Sequence, residues 1–381
     1  MRILIDASCL TPPLTGVGSY ARNIIEQLPA ALPAASYGYF LGNGWSDSLP
    51  DRTHQAPAQG WSLRRMARRL PLAWSLWRGL RMAAWRASLS EADRGSVCFA
   101  PNFLPPSPWS PCVSVVHDLS FLRLPWAHPA GRRSRLAELE RHLLQAPSVI
   151  AVSAFTAEEI VSQFHFPADR IHLAPPGVAP HFWRDSPPPT ERLADFGLVS
   201  QGYYLCVGTF EPRKNLATLV AAYSRLPPEI RDRIPLVLAG APGWGDYGRS
   251  ALWDRLMAKG QLRLLGYVPD SRLPELYGGA IALCMPSLYE GFGMPVAEAL
   301  AGGTPALVSN AGALPATAGP GGITLPPLDV EAWTEAMAAM AQDGALHSRL
   351  AEHGRSHGRS FRWDQSAAVV AAALVAAGAK D

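Results

Sequence analysis

The chain has 381 residues, 48% of them hydrophobic and 17% charged, which excludes a disordered polypeptide and leaves room for two domains of ordinary size. Its 34 basic and 31 acidic side chains give a net charge of +3, and outside residues 61–89 the chain adds no basic stripe of the kind nucleic-acid binding would require. That average conceals a division: residues 1–185 carry 18 basic and 13 acidic side chains, residues 186–381 carry 16 and 18. Only Lys214, Lys259 and Lys380 are lysines, so a central lysine in this arginine-rich chain needs a local reason. Cys9, Cys98, Cys112, Cys206 and Cys284 show no metal-binding spacing and read as buried thiols of a reducing compartment.

The N-terminal MRILIDASCL is expected to be a strand and has no signal-peptide architecture. Apolar runs then predict strands at 2–6, 37–41, 96–100, 112–116, 148–152 and 171–174. A second set follows at 203–208, 235–240, 262–266, 281–285, 305–308 and 322–325. Helical patterns fall between them, at 18–30, 131–146, 154–163, 215–225, 271–278, 295–302 and 329–342. Near-continuous apolar strands alternating with helices predict parallel sheets covered on both faces. The three prolines in WRDSPPPTERL (183–193) suggest an extended linker, giving domains at 1–185 and 186–363 with ligand in the cleft between them. The Ala-rich tail 367–379 is too short to span a membrane and reads as a helix.

Five segments carry chemistry. In TPPLTGVGSYARN (11–23), Gly16 and Gly18 open a helix, but the spacing from the strand disfavours an NAD fingerprint and favours a Gly loop facing the cleft. Residues 61–89 hold seven arginines and four tryptophans, among them Arg64, Arg65, Arg68, Arg69, Trp74, Trp77, Arg78, Arg81, Trp85 and Arg86. Arginine alternating with tryptophan on short helices predicts docking to an anionic membrane surface, the alternative being a solvated face over a core stripe. His117 and Asp118 end an apolar strand and point toward the cleft, although a strand-end histidine can be purely structural. In GTFEPRKNLATLV (208–220), Arg213 and Lys214 precede a helix with Asn215 as expected N-cap, a site for a diphosphate or else a solvated basic turn. The scarcity of lysine favours the former. In SLYEGFGMPVAEAL (287–300), Glu290 and Glu298 bracket a Gly-Phe-Gly turn and a helix opened by Pro295, with Glu298 expected on its first turn. Two such carboxylates could grip a polyhydroxylated ligand, or they are a loop acid and a helix-terminal glutamate. No D-x-D tripeptide occurs to bind a cation, so no metal is expected.

Taken together, T-G-V-G-S-Y (15–20), H-D (117–118), V-S-x-F-T (152–156), P-P-G-V (175–178), E-P-R-K-N (211–215), G-Y-V-P-D (266–270) and E-G-F-G-M-P-V-A-E (290–298) resemble the retaining glycosyltransferases of family 4 nearly end to end. The resemblance implies the GT-B fold, two doubly wound Rossmann-like domains with an inter-domain cleft. F-R-W-D (361–364) resembles the family's closing segment, so the helix at about 364–381 is expected to return to the first domain.

By position, the resemblance implies that Arg213 and Lys214 hold the donor diphosphate and that Gly16 lies against the phosphates, with Gly18 in the same loop. Glu290, with the backbone of Gly291, Phe292 and Gly293, would bind the sugar, Glu298 the ribose and His117 the sugar's other side. The backbone at Tyr267 and Val268 would hold the base. The motif combination looks most like bacterial O-antigen and polysaccharide mannosyl- or rhamnosyltransferases. That implies a GDP-sugar donor, a polyprenyl-diphosphate-linked glycan acceptor and a peripheral position on the cytoplasmic face of the inner membrane. A UDP-sugar transferase, a nucleotide-sugar 2-epimerase and a non-catalytic membrane scaffold are the alternatives.

Overall fold

Seven strands build the first sheet of the computed structural model: β1 (Arg2–Asp6), β2 (Ser36–Phe40), β3 (Trp45–Ser46), β4 (Val97–Ala100), β5 (Cys112–Val116), β6 (Val149–Ala151) and β7 (Ile171–Leu173). Their order is β3-β2-β1-β4-β5-β6-β7, parallel except for the β2–β3 pair. The structure describes residues 1–10, 14, 16–42, 44–49, 79–80, 82–85, 87, 89, 93, 95–105, 109, 111–129 and 136–379. Arg64, Arg65, Arg68, Arg69, Trp74, Trp77, Arg78 and Arg81 therefore lie outside the described residues. Residues 1–119, 130–176 and 363–381 form one unit, and residues 120–129 with 177–362 form the other.

Every strand predicted in the first half is present within a residue or so, because β4 and β5 are wholly buried apolar runs that can lie only inside a covered parallel sheet. The two-residue antiparallel β3 was not expected, being too short to show any period. The helix Gly16–Ala31 buries Tyr20, Ile24, Ile25 and Leu28, and the C-terminal helix Trp363–Gly378 lies along it within the same unit.

Trp85 departs from the membrane-facing expectation. It is fully buried against Phe40 and Trp45, with ring centroids 5.0 and 4.5 Å away, and Trp109 stands at 6.4 Å. Alternating Trp and Arg describe an interfacial helix and a core-covering helix equally well; here the aromatic neighbours decide. Trp85→Ala is expected to cost about 3–5 kcal/mol of unfolding free energy in urea denaturation, as for other buried aromatic truncations. None of the five cysteines is in a disulfide; four are buried and Cys9 is half-buried.

The second sheet contains β8 (Tyr204–Val207), β9 (Leu236–Ala239), β10 (Leu262–Gly266), β11 (Ala282–Met285), β12 (Ala306–Ser309) and β13 (Gly322–Leu325). All are parallel in the order β10-β9-β8-β11-β12-β13. After β8 the chain builds outward to β10, then crosses to the other side of β8 to begin β11. Loops leaving β8 and β11 thus diverge, which makes their carboxyl ends the switch point where doubly wound sheets bind ligands. The core beneath is aromatic: Tyr204, Tyr223, Trp253 and Trp333 are buried, and the Tyr204 hydroxyl donates to the Met337 carbonyl at 2.6 Å.

Residues 183–193 are not a free linker. Contacts place the division between Pro176 and Gly177 rather than at 185, and the proline stretch belongs to the second unit. Leu193 is buried, Arg184 pairs with Glu275 at 3.5 Å, and Arg184 and Pro188 approach Gly278 closely enough to crowd any added Cβ. Prolines stiffen a packed strap as readily as a spacer, so composition alone does not separate the two. The polar helix Gly344–Ser360, absent from the predicted stretches, packs its glycines on Met294–Ala301; a Cβ on Gly358 would lie 2.4 Å from the Ala301 nitrogen.

Candidate functional site

The turn leaving β8 is a 3-10 turn, Pro212–Lys214, followed by the helix Leu216–Arg225. Asn215 between them does not cap that helix with its side chain, contrary to expectation. It adopts left-handed backbone (φ 54°), and its amide donates to the Pro286 and Pro327 carbonyls at 3.0 and 2.6 Å. Its Oδ1 accepts from the Thr218 hydroxyl at 2.8 Å. Asn215 therefore ties the β8 turn to the loop after β11.

That second loop carries Glu290. Gly312 (φ 63°) must be glycine here, since a Cβ would lie 2.3 Å from the Glu290 carbonyl, which accepts from the Ala313 N–H at 2.9 Å. Ser309 donates to the Ser287 carbonyl and holds the start of the loop. The two turns then interlock: Leu288 N–H donates to the Arg213 carbonyl at 2.8 Å, and Arg213 Nη1 to the Tyr289 carbonyl at 2.9 Å.

Glu290 is the centre of the cluster. Its Oε1 accepts from Lys214 Nζ at 2.6 Å and from the Ser287 hydroxyl at 2.7 Å; its Oε2 accepts from Arg213 Nη1 at 2.7 Å. Arg213 Nη2 meets Glu211 Oε1 at 2.6 Å. Burial disfavours the Glu290 carboxylate, but the charges of Arg213 and Lys214, with hydrogen bonds from Lys214 and Ser287, outweigh it and hold the pKa down at about 2. A carboxylate has about four acceptor positions, and bonds from the described residues use three, which leaves Oε2 one beyond them.

Glu298 is the fifth residue of the helix Met294–Ala301, one position past the first turn on which it was expected, because the helix begins at Met294 rather than Pro295, with Gly293 (φ 97°) before it. Half-buried, it accepts from the Tyr277 hydroxyl at 2.8 Å. Burial pushes its carboxyl up to about 8; the Tyr277 hydrogen bond opposes that rise and Asp270 adds to it. A carboxyl that keeps its proton near neutrality both donates and accepts, which suits a pair of vicinal hydroxyls. Tyr267 and Val268 follow the edge strand β10, Tyr267 exposed and Val268 buried.

In the first unit His117 follows β5 and is buried. Its Nε2 donates to the Pro101 carbonyl at 2.7 Å, which leaves Nδ1 as the acceptor of a neutral ring. Burial lowers its pKa, with the Pro101 hydrogen bond and Asp118 opposing, so the ring is uncharged at neutral pH. Tyr20 and Phe103 stand edge-on to it, centroids 5.1 and 5.7 Å away. Gly16 begins its helix at the surface, whereas Gly18 is buried, a Cβ there standing 3.1 Å from Leu14 and 3.2 Å from the Cys9 carbonyl. Gly18 thus serves close packing of the helix start.

Comparison with known proteins decides the family. Residues 14–182 match the family described as Glycosyltransferase Family 4, and residues 196–357 match Glycosyl transferases group 1. The O-antigen chain mannosyltransferase B of Escherichia coli is 33% identical over 371 residues, covering 96% of this chain and 97% of that protein. The chain belongs to glycosyltransferase family 4.

Solved structures agree on the fold. Sucrose-phosphate synthase of Thermosynechococcus elongatus superimposes with a TM-score of 0.72 at 20% identity over 96% of both chains. WaaG, a glycosyltransferase involved in lipopolysaccharide biosynthesis, does so with a TM-score of 0.69 at 16% identity over 97% of this chain and 99% of its own. The fold is GT-B, and the protein is a glycosyltransferase that takes a nucleotide-sugar donor and a glycan acceptor.

For this family-4 enzyme the structure brings Arg213, Lys214 and Glu290 into one cluster and places Glu298 on the helix leaving the same loop. Three participants were not singled out from sequence. Ser287, wholly buried, orients Glu290; Glu211, 2% exposed, pairs with Arg213; Tyr277 binds Glu298. Glu211 and Ser287 lie inside quoted motifs, but nothing in a linear pattern says which carboxylate faces which guanidinium. Among the described residues no three His, Cys, Asp or Glu gather to hold a metal ion, and no helix is long and apolar enough to cross a membrane.

Proposed function

We propose that this enzyme transfers a mannosyl residue from a GDP-linked donor to a polyprenyl-diphosphate-linked glycan in O-antigen assembly, with retention of anomeric configuration and without a metal. The observation that carries the sugar and the pathway is the near full-length match to an O-antigen chain mannosyltransferase. The site chemistry is compatible with it. Breaking a sugar–diphosphate bond builds negative charge on the leaving phosphate, and Lys214 and Arg213, preset by Glu290 and Glu211, are the fixed positive charge that lowers that barrier. In this reading Glu290 receives a sugar hydroxyl on its open Oε2 position and Glu298 the ribose hydroxyls. His117 accepts from the sugar through Nδ1. The departing phosphate assists front-face attack, so no enzymic nucleophile is needed. A peripheral position on the cytoplasmic face of the membrane would bring the enzyme to its lipid-linked acceptor.

Calorimetry against GDP, UDP and their sugars tests the donor: GDP and GDP-mannose should bind, and binding of UDP with none of GDP would overturn the donor assignment. Transfer to a polyprenyl-diphosphate-linked acceptor in the presence of EDTA, with the product's anomeric configuration read by NMR, tests the rest. Loss of activity on chelation, or an inverted product, would sink that part of the mechanism.

A further inference from the structure

The segment at which the chain passes from the second unit back to the first, Phe361–Arg362–Trp363, touches a functional loop in each unit. In the second unit the Phe361 ring stands edge-on to Phe292 of the Gly-Phe-Gly turn, centroids 5.2 Å apart at 87°. Phe361 is held in turn: its carbonyl accepts from the Val178 N–H at 2.9 Å, and the His357 ring packs on it at 5.1 Å. His357 Nε2 donates to the Thr317 carbonyl at 3.1 Å, and the Thr317 hydroxyl donates to the Phe292 carbonyl at 2.6 Å. Phe292, Phe361, His357 and Thr317 therefore form a closed ring of contacts that fixes both the side chain and the carbonyl of the turn. Gly319 (φ 48°) makes room for it, since a Cβ there would meet the His357 ring at 2.6 Å.

Two residues further on, Trp363 plays the matching part in the first unit. It is buried with its ring 5.7 Å from that of Tyr20, and Tyr20 stands between it and His117. Tyr20 cannot swing aside, because its hydroxyl donates to the Ala174 carbonyl at 3.0 Å, and Ser366 on the same helix as Trp363 donates to the neighbouring Pro175 carbonyl at 2.5 Å.

We propose that Phe361 and Trp363 are positioning residues, one segment bracing the Gly291–Gly293 turn through Phe292 and the His117 ring through Tyr20. Neither touches substrate. The proposal rests on the site reading above, which gives the turn and His117 their roles toward the donor sugar. Catalytic groups tolerate little displacement: a shift of about 1 Å costs on the order of 100-fold in rate.

The test uses the full-length enzyme with Phe361→Ala, Phe361→Tyr, Trp363→Ala and Trp363→Phe, and with Met340→Ala and Trp85→Phe as core substitutions away from both contacts. Phe361→Ala is expected to raise the KM for the nucleotide sugar about 10-fold or more while leaving calorimetric affinity for the bare nucleoside diphosphate within about twofold of wild type. Trp363→Ala is expected to lower kcat by a similar factor with a smaller change in KM. Phe361→Tyr and Trp363→Phe should restore both, and the core substitutions should lower Tm without either signature. Kinetics of the two alanine variants indistinguishable from those of the core substitutions, or no rescue by the ring-conserving variants, would overturn the brace. If an alanine variant does not fold, Phe361→Leu and Trp363→Leu are read against the same criteria. His117→Ala and Glu290→Gln run alongside: activity retained in these overturns the site reading, whereas activity lost in these but unaffected in Phe361→Ala and Trp363→Ala overturns the brace alone.

Discussion

Lys214→Met is expected to lower kcat by about 100- to 1,000-fold, equivalent to about 3–4 kcal/mol of transition-state stabilisation, the usual effect of removing one preset charge partner of a developing oxyanion. The ammonium sits 2.6 Å from Glu290 with its side chain 11% exposed, so its field is little screened. Lys214→Arg should rescue poorly. Lys214 lies against the glycine leaving β8, a Cβ on Gly208 standing 3.5 Å from both its Cε and its Nζ, and a planar guanidinium is larger than the ammonium held there. A compact ammonium with three rotatable donors and a planar five-donor fork are not interchangeable at such a contact. Steady-state kinetics decide the matter together with thermal melting to show that the variant is folded. Retention of more than about a tenth of wild-type kcat would show that the leaving diphosphate is not stabilised here.

Glu290→Gln should destabilise the enzyme by about 3–5 kcal/mol at pH 7 as well as abolish most activity, because it leaves Arg213 and Lys214 as neighbouring, mostly buried cations without their shared anion. The pH dependence gives a separate signature. Glu290 titrates at about 2 in the folded protein against an ordinary 4.5, so the unfolded chain binds the proton first as the solution is acidified. The stabilisation is fully present above about pH 4.5 and is lost as pH falls toward 2; at about 1.4 kcal/mol per pH unit the difference amounts to about 3 kcal/mol. Urea denaturation from pH 7 down to pH 3 should show the wild type losing stability in that window and Glu290→Gln losing correspondingly less. An identical acid slope in both proteins would mean that Glu290 is not held as an ion by these two cations.

Which features could be read from the chain depends on how local their causes are. Strands such as β4, β5 and β11 are continuous apolar runs bounded by turn residues, so their burial in parallel sheets follows from composition at adjacent positions. The scarcity of lysine marked Lys214, and the Gly-x-Gly turn marked Glu290, without any knowledge of their partners. Trp85 and the 183–193 segment went the other way. Tryptophan beside arginine, and three consecutive prolines, describe a surface and a packed element equally well, and only the neighbours Phe40 and Trp45 in one case and Glu275 and Gly278 in the other make the choice.

The amino-acid sequence by itself determined two Rossmann-like sheets, the loops that form the candidate cluster and the family, since periodicity, turn chemistry and motif order are written in neighbouring residues. Only the tertiary structure decided that Lys214 and Arg213 share one carboxylate 76 and 77 positions away, that Glu211 and Ser287 complete the cluster, and that Asn215 ties the two turns together instead of capping a helix. The reason is the crossover of the second sheet: placing β11 beside β8 brings together loops that no local pattern connects, and the electrostatics of the site arise at that junction.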